Sequence, residues 1–272
     1  NTDSAARTES LGIDQIEVDL AFGGESVSAE VHLESDGGTV NLEQAFASYD
    51  LGNGLTVSGG KMLNLLGFES DEPTGLYQYS TAYYGVGVDR VQDYYDGIRA
   101  SFGIEDIAVG ISAYDARSAN STADFDLAYE AQVIFSGIEN LTVAIGFAEN
   151  DSAEGLFDVS EAVNVWASYE SGQMTVAAEY TDGEASDNAG GTISGDGYLL
   201  LANYTINDNA AITVRYSEQD SSDLRGQTEL FTISPSYSFT DNFGALIEYS
   251  TGEASLNGAT VDVDIFAIET TF

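Results

Sequence analysis

The only histidine of the chain, His32, lies between Glu30 and Glu34 in the segment VSAEVHLE. An imidazole flanked by two carboxylates is a potential set of metal ligands. However, residues i and i+4 of a strand are roughly 13 Å apart, which is too far for Glu30 and Glu34 to share one ion. The sequence therefore predicts a solvated histidine at this position and no metal site.

Catalytic residues are not indicated either. Ser28 is the one serine at a sensible spacing from His32, and carboxylates are so numerous that pairs of them occur by chance. The chain has no cysteine, which excludes thiolate metal sites and disulfides. We therefore predict a protein that is not an enzyme and has no cofactor, although the acidic segments at 69–72 and 218–223 could take Ca²⁺.

The charge of the chain is strongly negative, with 46 acidic residues against 7 basic ones and a formal net charge of -39. Nucleic acid is not expected as a partner, because binding it requires clustered Lys and Arg. An acidic excess instead attracts cations and keeps a protein soluble in salt.

The segments that position these side chains share a hydrophobic pattern with a period of two residues. Apolar and polar residues alternate in VSAEVHLE (27–34), LTVAIGF (141–147), MTVAAEY (174–180) and ITVRY (212–216). Alternation of this kind predicts β-strands with one apolar and one polar face. No run of about 18 or more apolar residues is present, which excludes a membrane-spanning helix.

Two kinds of joint alternate between the strands. Short joints such as GNG (52–54) and SGQ (171–173) are tight-turn sequences, whereas longer joints such as 63–91 and 183–194 are polar and acidic. The strands are about 10 to 13 residues long, which is enough to cross a membrane at a tilt, and many end in an aromatic residue. A soluble all-β sandwich or solenoid is the alternative.

The predicted fold class is therefore all-β: a transmembrane antiparallel up-and-down β-barrel with short periplasmic turns and longer acidic extracellular loops. About fifteen strands can be counted, and single-chain bacterial barrels have even numbers, so we predict about 16, within a range of 14–16. The first strand would lie within residues 1–10 or upstream of them. Residues 1–272 then form a single transmembrane domain.

The last strand carries an apolar stripe that ends at the final residue. Phe266, Ile268 and Phe272 share one parity in IFAIETTF. This ending resembles the C-terminal signal of bacterial outer-membrane barrels, which the barrel assembly machinery recognises.

A longer segment carries a family resemblance. NLEQAFASYDLGNGLTVSGGKMLNLLGFESDEP (41–73), followed by YYDGIRASFG (94–103), resembles the beta-barrel porin-2 (OmpL-like) family. The family has proline where this chain has Leu66. The positions that match its motifs are Leu42, Gln44, Ala45, Phe46, Gly60, Lys61, Met62, Gly67, Phe68 and Glu69.

The resemblance implies a porin in the lipid bilayer of the bacterial outer membrane, which allows passive diffusion of small hydrophilic solutes and ions. It also implies a homo-oligomer, expected to be a trimer. The alternative is a plugged structural or interaction barrel without an open channel, serving as an anchor, an adhesin or a sheath for a partner protein.

In such a barrel, the residues of polar parity would line the pore, and carboxylates dominate them. A wall of carboxylates attracts cations, so cation preference is expected; alternatively, the acidity lies mainly in the loops. The predicted pore-lining residues are Glu17, Asp19, Glu30, His32, Glu34, Arg99, Asp126, Glu130, Trp166, Glu170, Glu179, Arg215 and Glu248.

Three features of this lumen leave alternatives open. Arg99 and Arg215 could set a transverse field against the acidic wall or form structural ion pairs. Trp166 could pack against a loop or offer a stacking surface for a sugar. The longest joint, 63–91, could bend into the barrel and constrict the pore, or it could form a surface cap or a subunit contact.

Overall fold

The computed structural model describes residues 8–69, 73–82, 94–115, 127–150, 159–186, 191–221, 226–256 and 258–272. Within these ranges there are fifteen strands and one short turn of 3-10 helix, Pro73–Gly75. The strands are β1 (Ile16–Gly23), β2 (Val27–Ser35), β3 (Asn41–Gly52), β4 (Leu55–Leu63), β5 (Tyr94–Ile104), β6 (Ile107–Asp115), β7 (Leu127–Ile138), β8 (Leu141–Glu149), β9 (Val159–Ser171), β10 (Met174–Ser186), β11 (Thr192–Asn207), β12 (Ala210–Ser221), β13 (Gly226–Thr240), β14 (Phe243–Leu256) and β15 (Ala259–Thr271).

All fifteen strands belong to one sheet in which each strand pairs with the next, in the order β1 to β15. Every pairing is antiparallel. The predicted up-and-down antiparallel sheet is confirmed. No described helix has the length and apolar character required to span a membrane.

The tight turns form where the sequence tolerates a left-handed backbone. Asn53 (φ 56°), Asn140 (φ 65°) and Gly172 (φ 61°) each lie in a short joint between consecutive strands. Asn and Gly adopt positive φ more readily than other residues, and such turns match the twist of the strands that they join. The short joints therefore fix the strand register along one rim.

The two faces of the sheet have opposite polarity. Ile98, Ile111 and Leu200 are more than half exposed on the outer face. Thr181 and Thr232 are fully buried on the inner face. A soluble sandwich would bury its apolar faces against each other. The sandwich alternative is therefore wrong, because here the exposed apolar face surrounds a polar interior.

Charged residues from both ends of the sheet lie near one part of the interior. Asp14 precedes β1 and Glu269 lies on β15. Burial, followed by the Asp14 and Glu269 carboxylates, raises the pKa of Tyr79. The sheet is therefore curved enough to bring charged groups from its two ends near the same side chain.

Two details differ from the sequence-based expectation. The strands extend into the joint predicted at 183–194, since β10 reaches Ser186 and β11 begins at Thr192. Small residues allow this extension: Gly183 pairs directly with Gly195. Residues 8–15 contain no strand, and residues 1–7 lie outside the described ranges, so a sixteenth strand stays a prediction.

A side chain at Gly60 should destabilise the fold. Gly60 has φ +137°, and a Cβ added there would lie 2.2 Å from the carbonyl oxygen of Ala45. Gly60→Ala should lower the free energy of unfolding by about 1–3 kcal/mol, because an L side chain is strained in this conformation. Urea unfolding followed by the fluorescence of Trp166 measures the loss. Gly103→Ala is the control, since nothing lies within 4 Å of its added Cβ. Equal stability of the two variants would contradict the assigned backbone geometry.

Candidate functional site: the lumen and its inner loop

The chain that follows β4 lies inside the sheet. We call its described residues, 64–69 and 73–82, the inner loop. Four of its backbone N–H groups donate hydrogen bonds to side chains of the wall, which lie on four different strands. The pairs are Leu65 with Glu130 (2.9 Å), Gly67 with Asn164 (3.2 Å), Phe68 with Glu179 (2.9 Å) and Ser80 with Glu248 (3.0 Å).

Arg215 of β12 holds two parts of the inner loop together. Its Nη1 donates to Glu69 Oε1 at 2.9 Å and to the Ser80 carbonyl at 2.6 Å. Its Nη2 donates to Ser80 Oγ and to the Thr81 carbonyl, both at 3.0 Å. The side chain is fully buried, so water screens the ion pair weakly. Of the two roles left open for Arg215, the structure shows the ion pair.

Arg99 of β5 makes a similar arrangement at the start of the loop. Its guanidinium lies 3.1 Å from Glu130 Oε1, and its Nε donates to Ser112 Oγ at 2.9 Å. Its Nη2 also donates to the carbonyl of Leu63, the last residue of β4. Of the two inward arginines that were predicted to line the pore, Arg215 therefore binds the loop itself, and Arg99 binds Glu130, a wall carboxylate that supports the loop.

Apolar contacts complete the attachment of the loop. Leu66 is buried against Ala148 and Ala162, and Phe68 packs on a cluster that includes Leu199. The ring of Phe68 lies 5.6 Å from that of Trp166, at an interplanar angle of 56°. Of the two roles considered for Trp166, the structure shows packing against the loop.

Side-chain exposure divides the lumen wall into two parts. On the side that the inner loop covers, Glu130 and Glu248 are almost completely buried. On β1 and β2, the Asp19 side chain is 56% exposed and that of Glu30 is 43% exposed. We call the inner face of β1 and β2 the open wall. Asp19 and Glu30 therefore face water, whereas the carboxylates of β7–β14 that bind the loop do not.

The open wall brings together residues that the sequence did not connect. Asp19 of β1 lies directly across from His32 of β2. His32 Nδ1 is 3.3 Å from Glu17 Oε1 and 3.4 Å from Asp19 Oδ1, and Nε2 is 3.2 Å from Glu30 Oε2. In the sequence, only neighbours on the same strand lie at an informative spacing from His32. The relevant signal, the β1–β2 register, depends on a turn whose geometry was unknown.

The remaining residues of the sequence-based prediction lie outside the His32 cluster and the contacts of the inner loop. Glu34 is half-buried at the end of β2, and Glu170 is exposed near the turn that follows β9. Asp126 lies outside the described residues, as do residues 70–72 and 222–223 of the acidic segments considered for Ca²⁺. Phe266, Ile268 and Phe272 are strongly exposed along the last strand, at the parity of the outer face.

The lumen is not filled completely by the loop. A cavity of about 280 Å³ separates the turn at Pro73 from the wall of the last strands. Tyr77 and Glu269 are among its lining residues. The site as a whole is a polar interior, narrowed on one side by a tightly held loop.

This combination of an exposed apolar belt, a polar interior and an inner loop defines a channel-forming barrel of an outer membrane. The family model of the Gram-negative porins matches residues 6–257, and the chain belongs to this family. It is a protein of the bacterial outer membrane. No curated protein matches the chain by sequence.

Solved structures support the same fold at low sequence identity. The outer membrane channel DcaP of Acinetobacter baumannii is 14% identical over 96% of this chain and 85% of that one, with a TM-score of 0.69. An anion-selective porin from Comamonas acidovorans is 15% identical over 94% and 85%, with a TM-score of 0.66. OmpF of Salmonella typhi, in complex with daunomycin, is 12% identical over 94% and 89%, with a TM-score of 0.67.

The Arg215 contacts predict a large effect on stability. Arg215→Met should lower the free energy of unfolding by about 3–5 kcal/mol, because it leaves the Glu69 carboxylate buried without its partner. Urea unfolding of the folded barrel in detergent measures the loss. The double variant Arg215→Met with Glu69→Gln should recover part of it, since no unpaired charge is then buried. Additive losses would show that the two side chains do not interact.

Proposed function

We propose that this porin is a passive diffusion channel for small hydrophilic solutes and ions and that it prefers cations. The observation that supports the preference is the difference between the two parts of the lumen wall. Arg99 and Arg215 are engaged by carboxylates, whereas Asp19 and Glu30 are exposed on the open wall. Negative charge therefore dominates where the described lumen meets water.

The sign of the selectivity depends on such side chains and not on the fold. The Comamonas acidovorans neighbour is described as anion-selective, although it has a similar backbone. In a narrow passage with low-dielectric walls, a few fixed charges concentrate counter-ions and repel co-ions. The carboxylates of the open wall would act on permeating ions in this way.

The inner loop is proposed to set the width of the passage. Its hydrogen bonds to β7, β9, β10 and β14 support this role, because they hold it across the interior and away from the outer surface. The surface cap and the subunit contact considered for 63–91 do not explain these contacts. The loop would then narrow the pore to a path beside the open wall.

Other parts of the proposal rest on the family and on the sequence alone. Placement in the beta-barrel porin-2 (OmpL-like) family depends on the 41–73 segment, and a trimer is expected by analogy with other porins. The barrel assembly machinery would recognise the last strand through Phe266, Ile268 and Phe272, which are exposed. The channel would have no enzymatic activity and would need no cofactor, and its acidic loops could take Ca²⁺.

The cation preference predicts a specific effect on permeability. In a planar bilayer under a KCl gradient, the reversal potential of the wild type should indicate K⁺ preference over Cl⁻. Asp19→Asn with Glu30→Gln should lower the permeability ratio by about twofold or more, since a unit charge some 8 Å away in water contributes roughly 0.5 kcal/mol.

Glu105→Gln with Glu139→Gln is the matched control, because it also removes two carboxylates, from exposed turns outside the lumen. It should leave the reversal potential unchanged. Anion preference in the wild type would contradict the cation proposal and keep the channel. A folded, inserted protein without any current would favour the plugged structural barrel.

The constriction proposal predicts that a shorter loop widens the pore. Deleting residues 70–88 removes Ser80 and Thr81, which Arg215 binds, and single-channel conductance should rise. Heat-modifiable electrophoretic mobility verifies that the variant is folded. Unchanged conductance in a folded variant would show that the loop does not limit the flow of ions.

A further inference from the structure

We propose that the open wall carries a divalent transition-metal site formed by Glu17, Asp19 and His32, and that it binds zinc. The Oε1, Oδ1 and Nδ1 atoms of these residues all lie within 4.8 Å of one another. They come from two strands whose register places Asp19 directly opposite His32. The backbone of a hydrogen-bonded strand pair therefore positions all three ligands.

Two of the three distances between ligand atoms fit the edges of a tetrahedral zinc site, and the third, between the two carboxylates, is within 4.8 Å. Ligand atoms that lie about 2.05 Å from zinc are about 3.3 Å from each other. His32 Nδ1 is 3.3 Å from Glu17 Oε1 and 3.4 Å from Asp19 Oδ1. Small rotations of the two carboxylates would bring both onto an ion bound at Nδ1.

Two neighbours orient the imidazole for this role. Nε2 is 3.2 Å from Glu30 Oε2, and an ionised carboxylate only accepts hydrogen bonds, so Nε2 carries a proton. Gln44 Oε1 accepts from the backbone N–H of Leu63 at 3.0 Å, which turns its amide NH₂ toward Nδ1 at 3.3 Å. In this tautomer Nδ1 carries no proton and faces two carboxylates, and its lone pair accepts from the Gln44 amide, a contact that a metal ion would replace.

A lone pair and two carboxylates at this distance repel one another unless a cation lies between them. A histidine that binds a metal through one ring nitrogen usually donates the N–H of the other to a carboxylate, a backbone carbonyl or water. The competing explanation is an imidazolium, with a proton in place of the metal. The ring ¹⁵N resonances of the metal-free protein distinguish the two, because an imidazolium carries a proton on both nitrogens, whereas zinc can displace that proton when it binds.

The ligand set also indicates which metals can bind. Imidazole suits zinc and its first-row neighbours, whereas Ca²⁺ and Mg²⁺ prefer oxygen ligands only. Three protein ligands leave a fourth position for water, which is the pattern of an open site rather than a closed structural one. An ion held there would lie on the open wall, in contact with the lumen.

Isothermal titration calorimetry of ZnCl₂ into the folded, full-length protein in detergent tests the site without requiring an open pore. The wild type should bind one zinc ion more tightly than the ions that its other carboxylates bind non-specifically. His32→Gln keeps all 46 acidic residues, and its zinc affinity should be lower by about tenfold or more. Asp19→Asn should weaken it as well, and Glu170→Gln is the control with the same loss of charge, because Glu170 is exposed near the turn after β9.

CaCl₂ should not compete at equal concentration. Because His32 is the only histidine, its ring ¹⁵N resonances can be assigned without ambiguity, and zinc should shift Nδ1 more than Nε2. Equal zinc affinity of the wild type and His32→Gln, or an unchanged Nδ1 resonance, would overturn the proposal.

A second readout rests on the proposed function. Zinc should reduce the K⁺ current of the wild type, and His32→Gln should abolish this inhibition. Zinc binding by calorimetry without any effect on an open current would support the site and place the ion path elsewhere. A wild type that does not bind zinc but has a normal cation-selective current would overturn the zinc site and leave the proposed function intact.

Discussion

The position of the inner loop depends on one buried guanidinium. Moving a charge out of water costs several kcal/mol per ion, so Arg215 is stable inside the barrel only with its full set of partners. Glu69 supplies the opposite charge, and Ser80 and Thr81 supply oxygen atoms from the far part of the loop. One wall residue therefore joins two loop segments. The covered side of the lumen, the buried state of Glu248 and the exposure of the open wall all follow from this attachment.

The sequence predicted what depends on local patterns. Alternation at 141–147 and 174–180 gave strands with the correct faces, because the side-chain period of a strand is two. It could not predict contacts that depend on long-range register. Arg215 meets Glu69 across the lumen, and His32 meets Asp19 across a strand pair, so neither partner lies at an informative spacing in the chain. The alternation of polar residues indicated which face of each strand is turned inward. It did not indicate which of the inward charges are exposed to water.

The net charge alone does not determine the electrostatics of the lumen. Much of the acidity lies on the outer face, toward the long-loop ends of the strands. Glu218 faces Glu229, Glu229 faces Glu253, and Glu253 faces Asp262 on consecutive strands. Directly opposed like charges destabilise a strand pair, and dissolved cations screen that repulsion. The overall charge is therefore divided between an outer surface that interacts with salt and a small number of lumen carboxylates that act on permeating ions.

The most direct test of this account is the accessibility of the two parts of the lumen wall. The chain has no cysteine, so single cysteines can be introduced at Asp19, whose side chain is 56% exposed, and at Thr232, which is fully buried beneath the loop. A cationic methanethiosulfonate reagent is then added while the current is recorded. We expect rapid modification and a reduced current for Asp19→Cys, and no change for Thr232→Cys. Rapid block of Thr232→Cys, with Asp19→Cys unaffected, would contradict the account by placing the aqueous path on the loop-covered side.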